Sequence, residues 1–176
     1  MTSAKQLKKA EFERKIFSAF ADRLAWPHND VIVQSRPEPE PDIEYTSTQG
    51  SIAFELVEIC DSTLAHQFAL IRDGGSVTSN WTSDPTPQVI TRKLNKKYVC
   101  EHPIELLCYW NAMTISTDDL VSEEIHRALN AVTNHPFRRV WYFGESAIFN
   151  WANNGSKCLK FDFDSGRDPF WQDCFF

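Results

Sequence analysis

A strand–turn–strand pattern over residues 41–58 is the feature that most constrains how this chain can fold. Two stretches rich in β-branched and aromatic residues flank a polar turn at Gln49-Gly50, which predicts an antiparallel β-hairpin. Folding about that turn brings Asp42, at the start of the first strand, near Glu55, in the middle of the second strand.

Asp42 and Glu55 together predict a site for a divalent cation. Two carboxylates held close together at one end of a sheet repel each other unless a cation lies between them. Carboxylate oxygens are the ligands that Mg²⁺ and Mn²⁺ prefer in proteins, so one of these two ions is the expected cofactor.

A third acidic residue, Glu13, lies inside the apolar arc of a helix expected over residues 3–24. The apolar stripe of this helix runs from Phe12 to Leu24 at helical spacing. A carboxylate on such a stripe is costly unless it is paired or binds a metal. Two interpretations therefore stay open for Glu13: an ion pair with Lys9, one turn earlier, or a metal ligand.

Composition indicates one ordered domain that spans residues 1–176. The chain is 42% hydrophobic with six glycines, which fits a single domain with a substantial core. Its formal net charge of −6 gives no overall attraction to nucleic acids or anionic membranes, so nucleic-acid binding would need a local basic patch. Five cysteines without a CxxC pair indicate reduced thiols in a cytoplasmic protein, and no apolar run approaches the ~18 residues of a membrane span.

The order of the predicted elements indicates the fold class. After the first helix, the pattern predicts a strand at 31–33, the hairpin, a short helix over 61–72, a helix from Thr86 to Tyr98, a strand over 104–110, a helix that begins at Thr117, a strand over 140–143, and an aromatic tail that docks as an edge strand. This order predicts an α/β sandwich. Its mixed central sheet begins as an antiparallel meander, continues with parallel crossover strands, and is flanked by helices.

The element order, with Pro41-Asp42 followed by Glu55 on an apolar strand, resembles the PD-(D/E)xK nuclease superfamily, which has the restriction-endonuclease-like fold. The resemblance covers roughly residues 5–143. It implies a metal-dependent nuclease that hydrolyses phosphodiester bonds of DNA or RNA. In such a site, Asp42 and Glu55 hold Mg²⁺ or Mn²⁺, and Glu13 joins them from the first helix.

The chain departs from that family at the lysine of the motif. Val57 stands two residues after Glu55, where the family has the Lys that orients or activates the attacking water. Some members carry this lysine on a neighbouring element, and Lys93 and Lys97 are the candidates here. The departure leaves a second hypothesis open, in which the chain is a catalytically inactive relative that binds a protein or a nucleic acid.

Nucleic-acid contacts are predicted in two places. Arg92 and Lys96 belong to the densest basic cluster and are expected on the outer side of the helix, where they could contact phosphates. Trp81, in a polar loop, could stack on a base. Many members of the family dimerise, so a homodimer is a further expectation.

Overall fold

The computed structural model describes residues 4–26, 32–36, 39–60, 84–110, 116–152 and 158–163, apart from the side chains of Lys5 and Ile32. The helix expected over 61–72, the loop with Trp81, and the tail from residue 164 onward lie outside the described residues.

The described chain contains both helices and strands, and helices separate three groups of strands. In sequence, they are α1 (Ala4–Arg23), β1 (Ile32–Ser35), β2 (Ile43–Ser47), β3 (Gly50–Ile59), α2 (Thr86–Leu94), β4 (Ile104–Trp110), α3 (Asp118–Ala131), β5 (Phe137–Phe143), β6 (Ala147–Ala152) and β7 (Cys158–Asp162). The strands form one seven-stranded sheet, in which their spatial order is their order along the chain.

The sheet is mixed, as the sequence predicts. β1, β2 and β3 form an antiparallel meander, β4 pairs parallel with β3, and β5 pairs parallel with β4. β6 and β7 then return antiparallel. The two parallel connections contain α2 and α3, because a parallel pair needs a crossover rather than a tight turn.

Helices cover both faces of the sheet and create two hydrophobic clusters. α1 packs on one face, where Phe17 and Phe20 contact Phe54 of β3 with ring centroids 4.9 and 6.4 Å apart. α2 and α3 pack on the other face, through Ile90 and Ile125 among others. Because apolar side chains are removed from water on both faces, the sheet forms the middle layer of an α/β sandwich.

Strand β3 is apolar on both faces because it lies inside the sheet. Phe54 belongs to the cluster under α1, whereas Ala53 and Val57 belong to the cluster under α2 and α3. Side chains alternate along a strand, so Glu55 shares the α2 side with Val57, and Glu58 lies on the opposite side. Burial on that side raises the pKa of Glu58.

The predicted end of α2 was wrong. The helix ends at Leu94, four residues before Tyr98, and Asn95 caps it. The backbone N–H and the side-chain amide of Asn95 both donate to the carbonyl of Thr91, across 3.2 and 2.8 Å, and these bonds close the last turn of the helix. Tyr98 still packs against the cluster under α2, but from the segment after the helix.

The end of the described chain adds one strand that the sequence analysis missed and confirms another. β6, Ala147–Ala152, was not predicted; Asn150 interrupts its apolar pattern, and pairing with β5 makes it a strand. β7 is an edge strand, as expected for Leu159 and the residues that follow it.

Two expectations from composition can be compared with the described chain. No helix in it is both long enough and apolar enough to cross a membrane. Among the described residues, Cys60, Cys100, Cys108 and Cys158 are free cysteines.

Candidate functional site

The hairpin of β2 and β3 brings Asp42 and Glu55 to neighbouring positions. Ile43 pairs with Phe54 in the antiparallel register, so Asp42 and Glu55 form the next opposing pair, just before β2 begins. Both side chains are largely removed from solvent, since Asp42 is 9% exposed and Glu55 is 1% exposed. The two positions are therefore near each other, as expected, but the turn lies at Thr48-Gln49 rather than at Gln49-Gly50.

Both oxygens of the Asp42 carboxylate accept hydrogen bonds. Lys9 Nζ on α1 donates to Oδ1 across 3.0 Å, and the backbone N–H of Leu56 on β3 donates to Oδ2 across 2.9 Å. The bond from Leu56 ties the start of β2 to β3 beyond their last ladder pair. Asp42 is therefore a point where helix α1 and the hairpin meet.

Glu13 is buried on α1 and makes the ion pair that the sequence offered as one of two interpretations. Lys9 Nζ lies 2.7 Å from Glu13 Oε1, so one ammonium group bridges Glu13 and Asp42. Burial and the negative charge of Asp42 raise the pKa of Glu13, with a smaller contribution from Glu55, although Lys9 opposes the rise. Glu13 thus belongs to the same acidic group as Asp42 and Glu55.

The Glu55 carboxylate is held by lysines from a different part of the chain. Lys93 Nζ on α2 lies 2.5 Å from Oε1 and also donates to the carbonyl of Leu56 across 3.3 Å. Lys96 Nζ lies 3.3 Å from the same Oε1 atom. The other oxygen, Oε2, is buried and has no hydrogen-bond partner among the residues that the structure describes.

The sequence placed Lys96 on the outer side of its helix, and that placement was wrong. Because α2 ends at Leu94, Lys96 follows a turn rather than the helical spacing, and its side chain comes back to Glu55. Lys97 is exposed, as is Arg92 on α2 itself. Of the two lysines that the sequence offered as candidates, Lys93 is the one in contact with Glu55.

Three carboxylates and three ammonium groups make up this site, which we call the Lys9–Glu55 cluster: Lys9, Glu13, Asp42, Glu55, Lys93 and Lys96. Their formal charges cancel. Burial alone would lower the pKa of Lys9, but its hydrogen bonds and its attraction to Glu13 and Asp42 outweigh that effect and raise it. Lys9 therefore carries its positive charge at neutral pH.

The oxygen donors of this cluster suit a hard divalent cation such as Mg²⁺ or Mn²⁺. The buried, unpartnered Oε2 of Glu55 fits such a ligand set, because an orphaned carboxylate oxygen is costly in a protein interior. The residues that would hold the ion are Asp42 and Glu55, with Glu13 beside them. Within the described ranges, however, no group of three or more His, Cys, Asp or Glu side chains has an arrangement that could hold a metal ion.

Three contacts of the cluster were missed by sequence reasoning: those of Lys9 with Asp42, of Lys96 with Glu55, and of the Leu56 N–H with Asp42. A signal existed only for Lys9, whose spacing from Glu13 placed it on the same side of α1.

Comparison with family models, with curated proteins and with solved structures finds no match in any of the three.

Proposed function

We propose that this chain is a metal-dependent nuclease of the PD-(D/E)xK, restriction-endonuclease-like type, which hydrolyses phosphodiester bonds of DNA or RNA. The observation that carries the proposal is the contact of Lys93 Nζ with Glu55 Oε1, 2.5 Å apart. It supplies, from helix α2, the ammonium group that Val57 cannot supply from the strand itself. The described sheet, a meander followed by a parallel crossover strand, is compatible with this type of fold.

The acidic residues would bind the metal, and Lys93 would act on the substrate. Asp42 and Glu55 would hold Mg²⁺ or Mn²⁺, which lowers the pKa of a bound water and stabilises negative charge on the phosphoryl group. Lys93 is 16% exposed at its side chain, so it is positioned by its surroundings and still reaches the site. Its ammonium group would orient the attacking water or neutralise a phosphate oxygen.

The substrate would approach along the basic segment that contains Lys93. Arg92 and Lys97 are exposed beside it, and Lys96 is 34% exposed at its side chain. Positive groups next to a phosphodiester-cleaving site attract the backbone of either DNA or RNA without reading its sequence. A local patch of this kind is needed because the chain as a whole has a formal net charge of −6.

A second candidate is a catalytically inactive module that keeps this architecture and binds a protein or a nucleic acid. The observation that favours it is the cancellation of charge in the Lys9–Glu55 cluster, where ammonium groups already neutralise the carboxylates. Ion pairs of this kind can hold helices and strands together without taking part in catalysis.

A cleavage assay separates the two candidates. Wild type, Glu55→Gln and Lys93→Met are incubated with single- and double-stranded DNA and with RNA, in Mg²⁺ or in Mn²⁺. Arg127→Gln serves as the control, because Arg127 is an exposed residue of α3 whose ion pair, with Glu124, is local to that helix. We expect both site variants to lose about a hundredfold or more in rate, and the control to match wild type.

Two results would contradict the nuclease proposal. One is a folded wild-type protein that cleaves none of the three substrates with either metal, which is the outcome expected of the inactive module. The other is cleavage that persists unchanged in both site variants, which would assign the activity to other residues.

A further inference from the structure

We propose that Lys9 is the resident counter-ion of the Glu13–Asp42 carboxylate pair, and that a divalent cation binds there only when the Lys9 side chain leaves. This inference rests on the proposed function, because it concerns the same carboxylates. It adds a residue that determines how strongly the site binds a metal.

The position of the Lys9 ammonium group is the first argument. It lies 2.7 Å from Glu13 Oε1 and 3.0 Å from Asp42 Oδ1, so it occupies the place between two acids that a cation would take. An ammonium group and a metal ion cannot both be in direct contact with the same two oxygens, because each needs the same space. Binding of one therefore excludes the other.

The difference in exposure between the partners is the second argument. The side chain of Lys9 is 61% exposed, whereas those of Glu13 and Asp42 are 10% and 12% exposed. The acids are thus fixed within the protein, and the lysine reaches over them from solvent on a flexible stem. Rotation of the Lys9 side chain alone is sufficient to move its ammonium group into water, and a cation bound to the two acids would replace the charge that they lose.

The surroundings of Lys93 show why it is not the group that leaves. Its side chain is 16% exposed, and it contacts the Leu56 carbonyl as well as Glu55. Moving it outward would break two contacts in a buried setting and leave Glu55 without its closest counter-ion. Lys9 and Lys93 therefore have different roles, one displaceable and one fixed.

The unpartnered Oε2 atom of Glu55 is a separate sign of a ligand near these carboxylates, because the charge of Glu55 is felt by Glu13. Glu55 is 1% exposed, and this oxygen has no hydrogen-bond partner within the described part of the chain. A cation that displaces Lys9 would join the carboxylates that already share one electrostatic environment, since Asp42 and Glu55 both raise the pKa of Glu13. Competition with Lys9 then makes the wild-type affinity weaker than its oxygen ligands alone would give.

The test is a calorimetric titration of Mn²⁺ into wild type, Lys9→Met, Lys9→Gln and Lys15→Met. Lys15 is a matched control, since it lies on the same helix, is also 61% exposed, and pairs with Glu11 at 3.6 Å, outside the cluster. We expect both Lys9 variants to bind Mn²⁺ about tenfold more tightly or better, because a competing charge is gone. Lys15→Met should stay within about twofold of wild type, as expected for an exposed charge.

Thermal unfolding gives a second readout that does not depend on activity. Without metal, the Lys9 variants should melt at a lower temperature than Lys15→Met, because Glu13 and Asp42 then repel each other without a counter-ion. Mn²⁺ should raise their melting temperature more than it raises that of wild type.

The outcomes distinguish this inference from the proposed function. If wild type binds Mn²⁺ and both Lys9 variants bind it equally or more weakly, Lys9 is not a competitor, and the nuclease proposal is untouched. If neither wild type nor the folded Lys9 variants bind Mn²⁺, both proposals are overturned. If Lys9→Met does not fold, Lys9→Gln, which keeps a polar N–H donor but has no positive charge, decides the question.

Discussion

At the scale of single residues, two buried glutamates on neighbouring strands show that burial of an acid is not enough to mark a site. Glu105 on β4 is 1% exposed, and both its oxygens are satisfied, by Arg138 and by the indole N–H of Trp141. Glu55 is equally buried but leaves one oxygen without a partner in the described chain. We interpret Glu105 as a structural acid and Glu55 as the one available to a ligand.

The backbone conformation of Ala25 is unusual for a residue other than glycine. Ala25 follows α1 with φ of 51°, a left-handed conformation, and the backbone N–H of Trp26 bonds back to the carbonyl of Ala21 across 2.9 Å. Glycine is the residue that adopts this helix-ending conformation without strain. We expect Ala25→Gly to raise the free energy of unfolding by about 0.5–1 kcal/mol in urea denaturation.

The same exchange inside α1 is the control for Ala25. Ala10→Gly should lower the free energy of unfolding by about 0.5–1 kcal/mol, because glycine is unfavourable within a helix. Changes of the same sign at the two positions would show that the left-handed conformation of Ala25 is not strained.

At the scale of elements, the start of α3 holds the hairpin between β5 and β6. The carboxylate of Asp118 accepts four hydrogen bonds, from the hydroxyl of Tyr142 (3.0 Å), the N–H of Glu145 (3.0 Å), and the N–H and hydroxyl of Ser146 (2.7 and 3.0 Å). The Cβ of any larger residue at position 144 would collide with this carboxylate, so Gly144 lets the turn approach it. One acidic side chain thus connects the start of α3 to the turn between β5 and β6.

Replacement of Asp118 tests how much this connection between α3 and the hairpin stabilises the protein. We expect Asp118→Ala to lower the free energy of unfolding by about 2–4 kcal/mol, because several donors, including the largely buried Tyr142 hydroxyl, lose their acceptor together. Asp119→Ala is the matched control: Asp119 is the next residue, is 72% exposed at its side chain and pairs with Lys160 alone among the residues that the structure describes. Its change should stay within about 1 kcal/mol. Equal losses in the two variants, measured by urea denaturation, would refute a special role for Asp118.

At the scale of the whole molecule, the two hydrophobic clusters share one sheet. Phe54 and Val57 lie on opposite faces of β3 and belong to different clusters. Loss of packing on either face therefore disturbs the same strand. A domain built in this way is expected to unfold in one cooperative transition.

Truncations on each side of the sheet test this cooperativity. We expect Phe54→Ala, on β3 under α1, and Ile125→Ala, on the buried side of α3, each to lower the free energy of unfolding by about 2–5 kcal/mol. Tryptophan fluorescence and far-ultraviolet circular dichroism should report the same midpoint in both variants. Two separate midpoints in either variant would mean that the faces unfold independently.

The sequence determined the class of this fold and its pair of acids. Strand alternation and the polar turn predicted the hairpin and the nearness of Asp42 to Glu55, because a short turn brings the two strands together. The register itself was not predicted, since the turn lies at Thr48-Gln49, one residue earlier than expected. Helical spacing likewise placed Glu13 next to Lys9 and on the buried side of α1. These are local rules, and they act over a few residues.

Only the tertiary structure decided which lysines meet those acids. Lys93 is far from Glu55 in sequence, and its contact depends on how α2 packs on the sheet. Lys96 reaches the same oxygen because the helix ends at Leu94 and Asn95 caps it. Lys96 therefore does not lie where helical spacing would place it. Lys9 bridges two acids for the same reason, since packing of α1 on the hairpin brings Asp42 within its reach. Contacts between distant segments follow from the packing of whole elements, which local spacing does not specify.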